Sequence, residues 1–425
     1  MLQTLKNAWK IKDLRKKILF TAFVVFIFRM GHFIPVPNIN ADALKSLANS
    51  QTLIGFYDLI SGGAFGNFSI FAMGVVPYIN ASIIMQLMTV IIPYLEQLSK
   101  EGQDGRAKIQ NITRYAAIAI GAVQAYGTYV IIYNAGAVEK DTPLNTVLII
   151  MTLIASSTFL MWLGDQITEK GIGSGVSVLI FVNILSRFPT LMYQVYALYT
   201  GKNIDIVMLA LFVIVVALMF VGVTGFSLGE RRIPVQYAGR VVGTKQYKGQ
   251  STHIPVGISS SAVISIIFAM SVMQFPATLA QFFPNVAWIK WLTEGAYSPF
   301  KTNTIIYALI YAVLVLFFSW FYTNITFKPD EMAENMAKSG GYVAGIRPGV
   351  ATAKYLERIL DRVSIVGGIF AAAIAIFPIV LEGYTSFKGL AFGGTMLFIM
   401  IGVAMDTMKQ LESQLVMRHY QGFLK

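Results

Sequence analysis

The sequence predicts an all-α polytopic membrane protein with ten transmembrane helices. Three observations predict it. Of 425 residues, 56% are hydrophobic, and only 13% are charged, against about 25% in soluble domains. That is too little charge to solvate a soluble protein of this size, and the mean hydropathy is +0.63. The apolar residues also gather into ten segments, most of them near the ~20 residues that one membrane-spanning helix requires. All-round hydrophobicity over such lengths means helices, because a lone strand cannot satisfy its backbone in lipid. A β-barrel would show alternating segments of about ten residues, which are not seen. The same composition excludes a disordered chain.

Taken in order, residues 1–17 form a basic amphipathic N-terminus. The first span, 18–34, runs straight into Pro35 and Pro37 without a small-residue cleavage pattern, so no cleavable signal peptide is expected. Arg29 inside that span either snorkels, binds loop carbonyls or is a functional charge. Segment 53–67 (LIGFYDLISGGAFGN) is apolar but too short to span, and Gly62-Gly63 break it. It reads as a re-entrant, pore-plugging helix or as an interfacial one. Spans two to five cover 68–92, 112–133, 144–164 and 172–193. The fifth opens on Gly171-Ile172-Gly173-Ser174-Gly175, which suits close helix packing or a flexible helix start. Span six is 205–226. A long loop, 227–258, follows, and its alternating β-branched pattern around Lys248-Gly249 predicts a hairpin-like projection. Spans seven and eight cover 259–282 and 303–326. A second long loop, 327–362, contains an approach helix (330–339) and then a loop punctuated by glycine and proline. Spans nine and ten are 363–381 and 389–405, with a tail at 409–425.

Orientation follows from the cations. One side carries 25 Lys and Arg, in 1–17, 100–114, Lys170, 231–248, 328–362 and 409–425, against 7 in the opposite loops. By the positive-inside rule both termini are cytoplasmic, and the net charge of +12 is largely a cytoplasmic surface. The two long basic loops serve as topology anchors or as a docking surface for a cytoplasmic partner.

Several chemistries are not expected. With 0 cysteines there is no thiolate metal site or Cys nucleophile. His32, His253 and His419 share no ligand spacing. No Walker loop, HExxH or GxSxG occurs, so no cofactor and no enzymatic activity are expected, and energy would come from a partner. Buried carboxylates of the kind that coupled transport uses are scarce: Asp165 and Asp406 lie near one set of span ends and Glu382 near the other. Asn80, Ser82, Gln86, Gln124 and Gln274 are polar groups within spans. They read as interhelical glue or as the lining of a gate.

Longer runs are more specific. FRMGHFIPVP (28–37), FYDLISGGAFGNFSIFAMGVVPYINASIIMQLM (56–88), KEGQDGRAKI (100–109) and FLMWLGDQITEKGIGSGVS (159–177) are followed by GERRIPVQYA (229–238) and GQSTHIP (249–255). GYVAGIRPG (341–349), TAKYLERILDRV (352–363) and GGTMLFIMIGVAMD (393–406) complete the series. By these runs, in this order and over nearly the whole chain, the sequence resembles the SecY/Sec61-alpha family of protein-conducting channels.

The resemblance implies two inverted, pseudo-symmetric halves, 18–195 and 196–408, around an hourglass pore. It places a pore ring on Val75, Ile79, Val176, Ile180, Ile267 and Ile399, all aliphatic here. Val75/Ile79 and Val176/Ile180 are each spaced i, i+4 and share a helix face. The 53–67 segment matches the plug, including Phe56, Tyr57, Leu59, Ile60, Gly62 and Gly63. The seam between spans two and three and spans seven and eight matches the lateral gate, with Asn80, Gln86, Gln124 and Phe275 as its candidates. Arg347 matches the arginine by which the family docks a SecA ATPase or a ribosome, and Arg231, Arg232, Arg240, Lys245 and Lys248 support it. SecE-like and SecG-like small subunits, signal peptides, nascent or preprotein chains and membrane lipids are the other implied partners. In GISSSAVISIIF (257–268) Ala262 and Ser265 stand where the family carries glycine and proline, which predicts a straighter seventh span. Ala344 replaces a common loop proline. The implied function is a passive, gated channel for secretory and membrane proteins in the cytoplasmic membrane. The alternative is a secondary transporter for a small solute, which would leave the two basic loops unexplained.

Overall fold

Each of the ten predicted segments carries a helix. The computed structural model describes residues 2–40, 64, 68–134, 136–138, 142–201, 205–237, 240–242, 245–247, 251–258, 262–282, 286, 291, 298–300, 304–384 and 394–422. A short helix, α1 (Leu2–Lys10), leads into the first span, α2 (Lys12–Gly31). The first half continues with α3 (Val76–Ile91), α4 (Pro93–Lys100), α5 (Gln103–Asn134), α6 (Pro143–Lys170) and α7 (Gly175–Thr200). The second half holds α8 (Ile206–Leu228), α9 (Ala262–Phe282), α10 (Ile305–Phe327), α11 (Pro329–Lys338), α12 (Val350–Tyr384) and α13 (Gly394–Gly422). Among the described residues, five strands lie between these helices: β1 (Glu230–Tyr237), β2 (Arg240–Val242), β3 (Lys245–Tyr247), β4 (Ser251–Gly257) and β5 (Gly341–Tyr342).

Among the described residues, six helices are long and apolar enough to cross a membrane, and α3 with α4, bent by 98° between them, is apolar and long enough only when the two are taken together. The bend falls at Ile92, whose extended backbone precedes Pro93, as the steric clash before proline requires. The other three spans have identifiable reasons for falling short. In α2, Lys12, Arg15, Lys16, Lys17 and Arg29 dilute the apolar run. In α9 the fully described stretch is Ala262–Pro276, shorter than a span. The tenth span is described only from Gly394, five residues into its predicted range. Helix starts carry sequence signals where loops are short. Thr142 precedes Pro143, and its hydroxyl accepts the Asn145 N–H at 3.4 Å. Thr304 accepts the Tyr307 N–H at 3.2 Å, the usual way to satisfy a first-turn donor.

The two halves repeat one packing scheme. In the first, α3 packs on α5, α5 on α6, α6 on α7, and α2 returns to α7. In the second, α9 packs on α10, α10 on α12, α12 on α13, and α8 returns to α13. The halves meet where α5 touches α9 and where α7 touches α13. The chain therefore has the helical, multi-pass architecture that the sequence predicts.

Several boundaries differ from expectation. The second span begins as helix only at Val76, after a series of turns over 70–75 that includes Gly74 at φ +55°. The ninth span is part of a helix that begins at Val350, so much of the predicted 327–362 loop is helical; its charged stem (Lys354, Glu357, Arg358) hid the continuation. The tail expected at 409–425 is helical as far as Gly422. A hairpin-like projection does form within 227–258: β1 pairs with β4, and β2 with β3 from Arg240↔Tyr247 to Val242↔Lys245, while Lys248-Gly249 lie outside the described residues.

Candidate functional site

Val75 is 2% exposed and directly precedes α3. One apolar cluster gathers Val75, Ile79, Val176 and Ile180 with Phe28, Leu160 and Leu179. Ala64, at the end of the predicted plug segment, is buried in that same cluster, and its carbonyl accepts the Ser69 N–H at 2.8 Å. Val176 is seated by a glycine: a Cβ on Gly164 would come 3.1 Å from Val176 Cγ2. Ile79 also belongs to the edge of a second cluster, together with Ile267 of α9. Ile399 is 5% exposed on α13, beside the fully buried Phe398. Five of the six ring candidates are thus linked through apolar clusters that share Ile79, and the sixth is buried. Phe56, Tyr57, Leu59, Ile60, Gly62 and Gly63 lie outside the described residues.

The second cluster crosses the seam between the halves. It joins Ile83 and Leu87 of α3 to Ala262, Ile266, Ala269 and Met273 of α9 and to Tyr311 and Val315 of α10. The seam is closed by apolar packing, and its polar candidates sit beside it. Asn80, Gln86 and Gln124 are half-buried, and Gln86 donates to Ser82 Oγ within its own helix at 3.4 Å. Phe275 is 63% exposed. Helix α9 is continuous from Ala262, with Ala262 and Ser265 fully buried. Sequence reading missed Ile83 and Leu87, because nothing distinguishes them from other aliphatic residues on α3.

The two basic loops form one body. Strand β1 pairs antiparallel with β4 from Glu230↔Gly257 to Gln236↔Ser251. Its other edge takes β5, from the second loop, at Gln236↔Tyr342 and Tyr237↔Gly341. Period-2 alternation turns Ile233 and Val235 inward, onto Ala333 and Met336 of α11, Val343, and Leu356 and Leu360 of α12. Arg231 and Arg232 are both exposed; Arg232 lies on the face opposite Ile233 and Val235, and its Nε is 2.6 Å from Glu230 Oε1. Arg347 is exposed in the loop between β5 and α12. Its carbonyl accepts the Thr352 hydroxyl at 2.9 Å, and Gly345 and Gly349, at φ +82° and +96°, make the turns around it. Arg240 and Lys245 lie on β2 and β3, and Lys248 lies outside the described residues. No sequence signal links the loops, since the pairing joins segments about a hundred residues apart.

The ionic chemistry is sparse. Arg114 donates from Nε and Nη2 to Asp165 Oδ2 at 2.9 and 2.8 Å, and Gln110 donates to Oδ1 at 3.2 Å, so Asp165 is tied between the third and fourth spans. Arg29 Nη1 is buried without a hydrogen-bond partner among the described residues, which leaves the loop-carbonyl reading without support there. No group of three or more His, Asp or Glu among the described residues could hold a metal ion.

The SecY family model matches residues 69–408. The chain is 41% identical to the protein translocase subunit SecY of Halalkalibacterium halodurans, over all of both chains. It is 40% identical to the subunit of that name in Bacillus subtilis, again over all of both. Among solved structures it is similar to a protein-conducting channel, with a TM-score of 0.68 at 19% identity, covering 94% of this chain and 92% of that one. It is also similar to Sec61 in a canine ribosome–channel complex from the endoplasmic reticulum, with a TM-score of 0.64 at 18% identity and the same coverage.

Proposed function

The chain belongs to the SecY family, and from that premise we propose that it is a protein-conducting channel of the cytoplasmic membrane. Unfolded secretory chains pass between its halves, and apolar segments leave sideways through the α3/α5–α9/α10 seam. The observation that carries this reading is Ile79, which belongs both to the ring cluster and to the core that closes the seam. A side chain so placed couples the two exits: moving α3 to open the seam also withdraws one member of the ring.

Aliphatic side chains suit the ring because a narrow apolar constriction dewets and resists ions without a charged gate. They also offer no fixed polar partner to a passing chain. The 53–67 segment is the plug, and its described residue, Ala64, packs in the ring cluster. The termini and both basic loops face the cytoplasm. There the shared sheet presents Arg231, Arg232 and Arg347 to a SecA-type motor or a ribosome, with Arg240, Lys245 and Lys248 in support. A polyanion such as ribosomal RNA would be held in a salt-dependent way. SecE-like and SecG-like subunits complete the assembly, and energy comes from the docked partner.

The test is a crosslinking experiment on reconstituted protein. A photoreactive residue replaces Ile79 in one sample and Val213, an exposed α8 residue, in another. An arrested secretory chain is expected to crosslink at position 79 and not at 213. Equal labelling at both, or none at 79, would overturn the pore assignment.

A further inference from the structure

Two ion pairs have no part in the pore ring, the apolar packing of the seam or the docking surface. On α4, Lys100 Nζ donates to Glu96 Oε1 at 2.7 Å. At the start of α11, Lys328 Nζ donates to Glu331 Oε1 at 3.1 Å. The first pair lies just past the end of α3, and the second just past the end of α10. Leu87 of α3 and Phe321 of α10, each within two turns of its helix end, both pack into the core that closes the seam. Both pairs therefore lie at one end of the seam, on the cation-rich side of the chain.

Each pair is mounted on its own half. Helix α4 buries Leu95 and Leu98 with Met85, Met88 and Ile109, all of the first half. Helix α11 buries Ala333 and Met336 against β1 and α12, of the second. Between the two mounts the charges alternate. Lys100, hydrogen-bonded to Glu96, holds that carboxyl below the usual carboxylate range, and the Lys328 charge adds to the pull. Glu96 in turn holds the Lys100 ammonium above its usual range, and the Glu331 charge adds to that. Glu96 thus feels Lys328 from across the seam, and Lys100 feels Glu331. Lys328 is also fixed in an unusual backbone shape, with φ +40° and ψ 77°, a left-handed region that a residue with a Cβ disfavours. Its N–H donates to the Asn324 carbonyl at 3.3 Å, and its carbonyl accepts the Met332 N–H at 3.1 Å. Such shapes persist where the surroundings over-determine them, and here the turn sets a lysine at the junction of α10 and α11.

We infer that these four charges form an ionic clasp across the cytoplasmic end of the seam, which holds the seam shut at rest and is released as the halves part. This rests on the channel reading, since a clasp has meaning only if the seam opens. Its physical basis is the range of the force. The apolar core of the seam acts at contact, whereas charges act over a Debye length, about 10 Å at 0.1 M salt. The four side chains are 40% to 54% exposed, and exposed pairs are individually weak. The clasp therefore biases opening without locking it.

The test inverts each pair in place. Glu96→Lys with Lys100→Glu keeps an ion pair within α4 but sets like charges against α11. Lys328→Glu with Glu331→Lys does the same from the other side, and the two inversions combined restore the alternation. The chain has no cysteine, so thiols introduced at Ile91 and Phe317, exposed residues of α3 and α10, carry the only spin labels in the reconstituted full chain. At about 0.1 M salt each inversion alone should raise the widened fraction of the 91–317 distance about two- to five-fold, the scale of an exposed ion-pair network. The combined variant should return that fraction to the wild-type value. At about 1 M salt, where the Debye length falls to about 3 Å, all four proteins should converge, the wild type by widening. A wild-type distribution that is the same at both salt concentrations overturns the clasp alone. So does an inversion effect that is absent, or that survives in the combined variant. If a signal peptide fails to widen the 91–317 distance and the wild type does not translocate a preprotein, the channel reading fails, and the clasp with it.

Discussion

At the scale of single residues, the proposed ring is a matter of placement rather than chemistry. Val75, Ile79, Val176 and Ile180 are ordinary aliphatic residues in a chain that is 56% hydrophobic, and no local property sets them apart from Ile83 or Leu179. The proposed role follows from the helices that bring them into one apolar cluster. Replacing Ile79 and Ile180 together with serine exchanges two methyl-rich side chains for hydroxyls that hold water. The expected result is a resting ion conductance in planar bilayers at least about tenfold above wild type, because wetting removes the barrier of an apolar constriction. An unchanged conductance would remove these two residues from the constriction. The charged residues were the more legible ones. Asp165 was expected near a span end, and there it accepts from both Arg114 and Gln110. Buried charge without such partners is too costly in lipid to occur casually.

At the scale of elements, the two basic loops stand on one core. Ile233 and Val235 of β1 pack on α11 and α12, so the first loop is held by the second. Val235→Asp places a charge in that core, at a cost of about 3–5 kcal/mol if it stays unpaired. Arg347→Glu alters only an exposed side chain. Both variants should insert normally and lose motor-driven export. They should separate in limited proteolysis: Val235→Asp is expected to be cut within 230–258, and Arg347→Glu to resist as wild type does. Equal resistance of the two would mean that the loops do not depend on each other.

Element legibility was uneven for physical reasons. All ten spans were readable because hydropathy is a local signal and lipid demands it. The bend at Ile92 was marked by Pro93. The stem of α12 was not readable as part of a span, because its first turns are charged and lie beyond the apolar run. The pairing of β1 with β5 depends on distant segments, and neither carries a sign of the other. The glycines at 171–175 suggested close packing, and the neighbours they admit, Thr21, Gly164 and Thr407, needed the fold to be identified.

At the scale of the whole molecule, the proposed function makes the seam a sorting device. It is closed by Ile83, Ala262, Ile266 and other apolar residues, so opening it exposes apolar surface either to lipid or to another apolar helix. A segment inside the pore can relieve that exposure, and it gains about 0.3–0.6 kcal/mol per Leu, Ile, Phe or Val on moving to the membrane centre. The closing contacts set a threshold, and the composition of the segment decides whether it is passed. In a series of model segments that differ only in the number of leucines replacing alanines, the ratio of membrane-released to fully translocated product should rise steadily. Roughly three added leucines should shift it about tenfold, since 1.4 kcal/mol is a factor of ten. Replacing Ile83 with alanine removes closing contact without touching the segment. The whole curve should then move toward fewer leucines with its slope unchanged, because the slope belongs to the lipid and the offset to the seam. A change of slope, or no displacement, would mean that release is governed by something other than the seam's apolar closure.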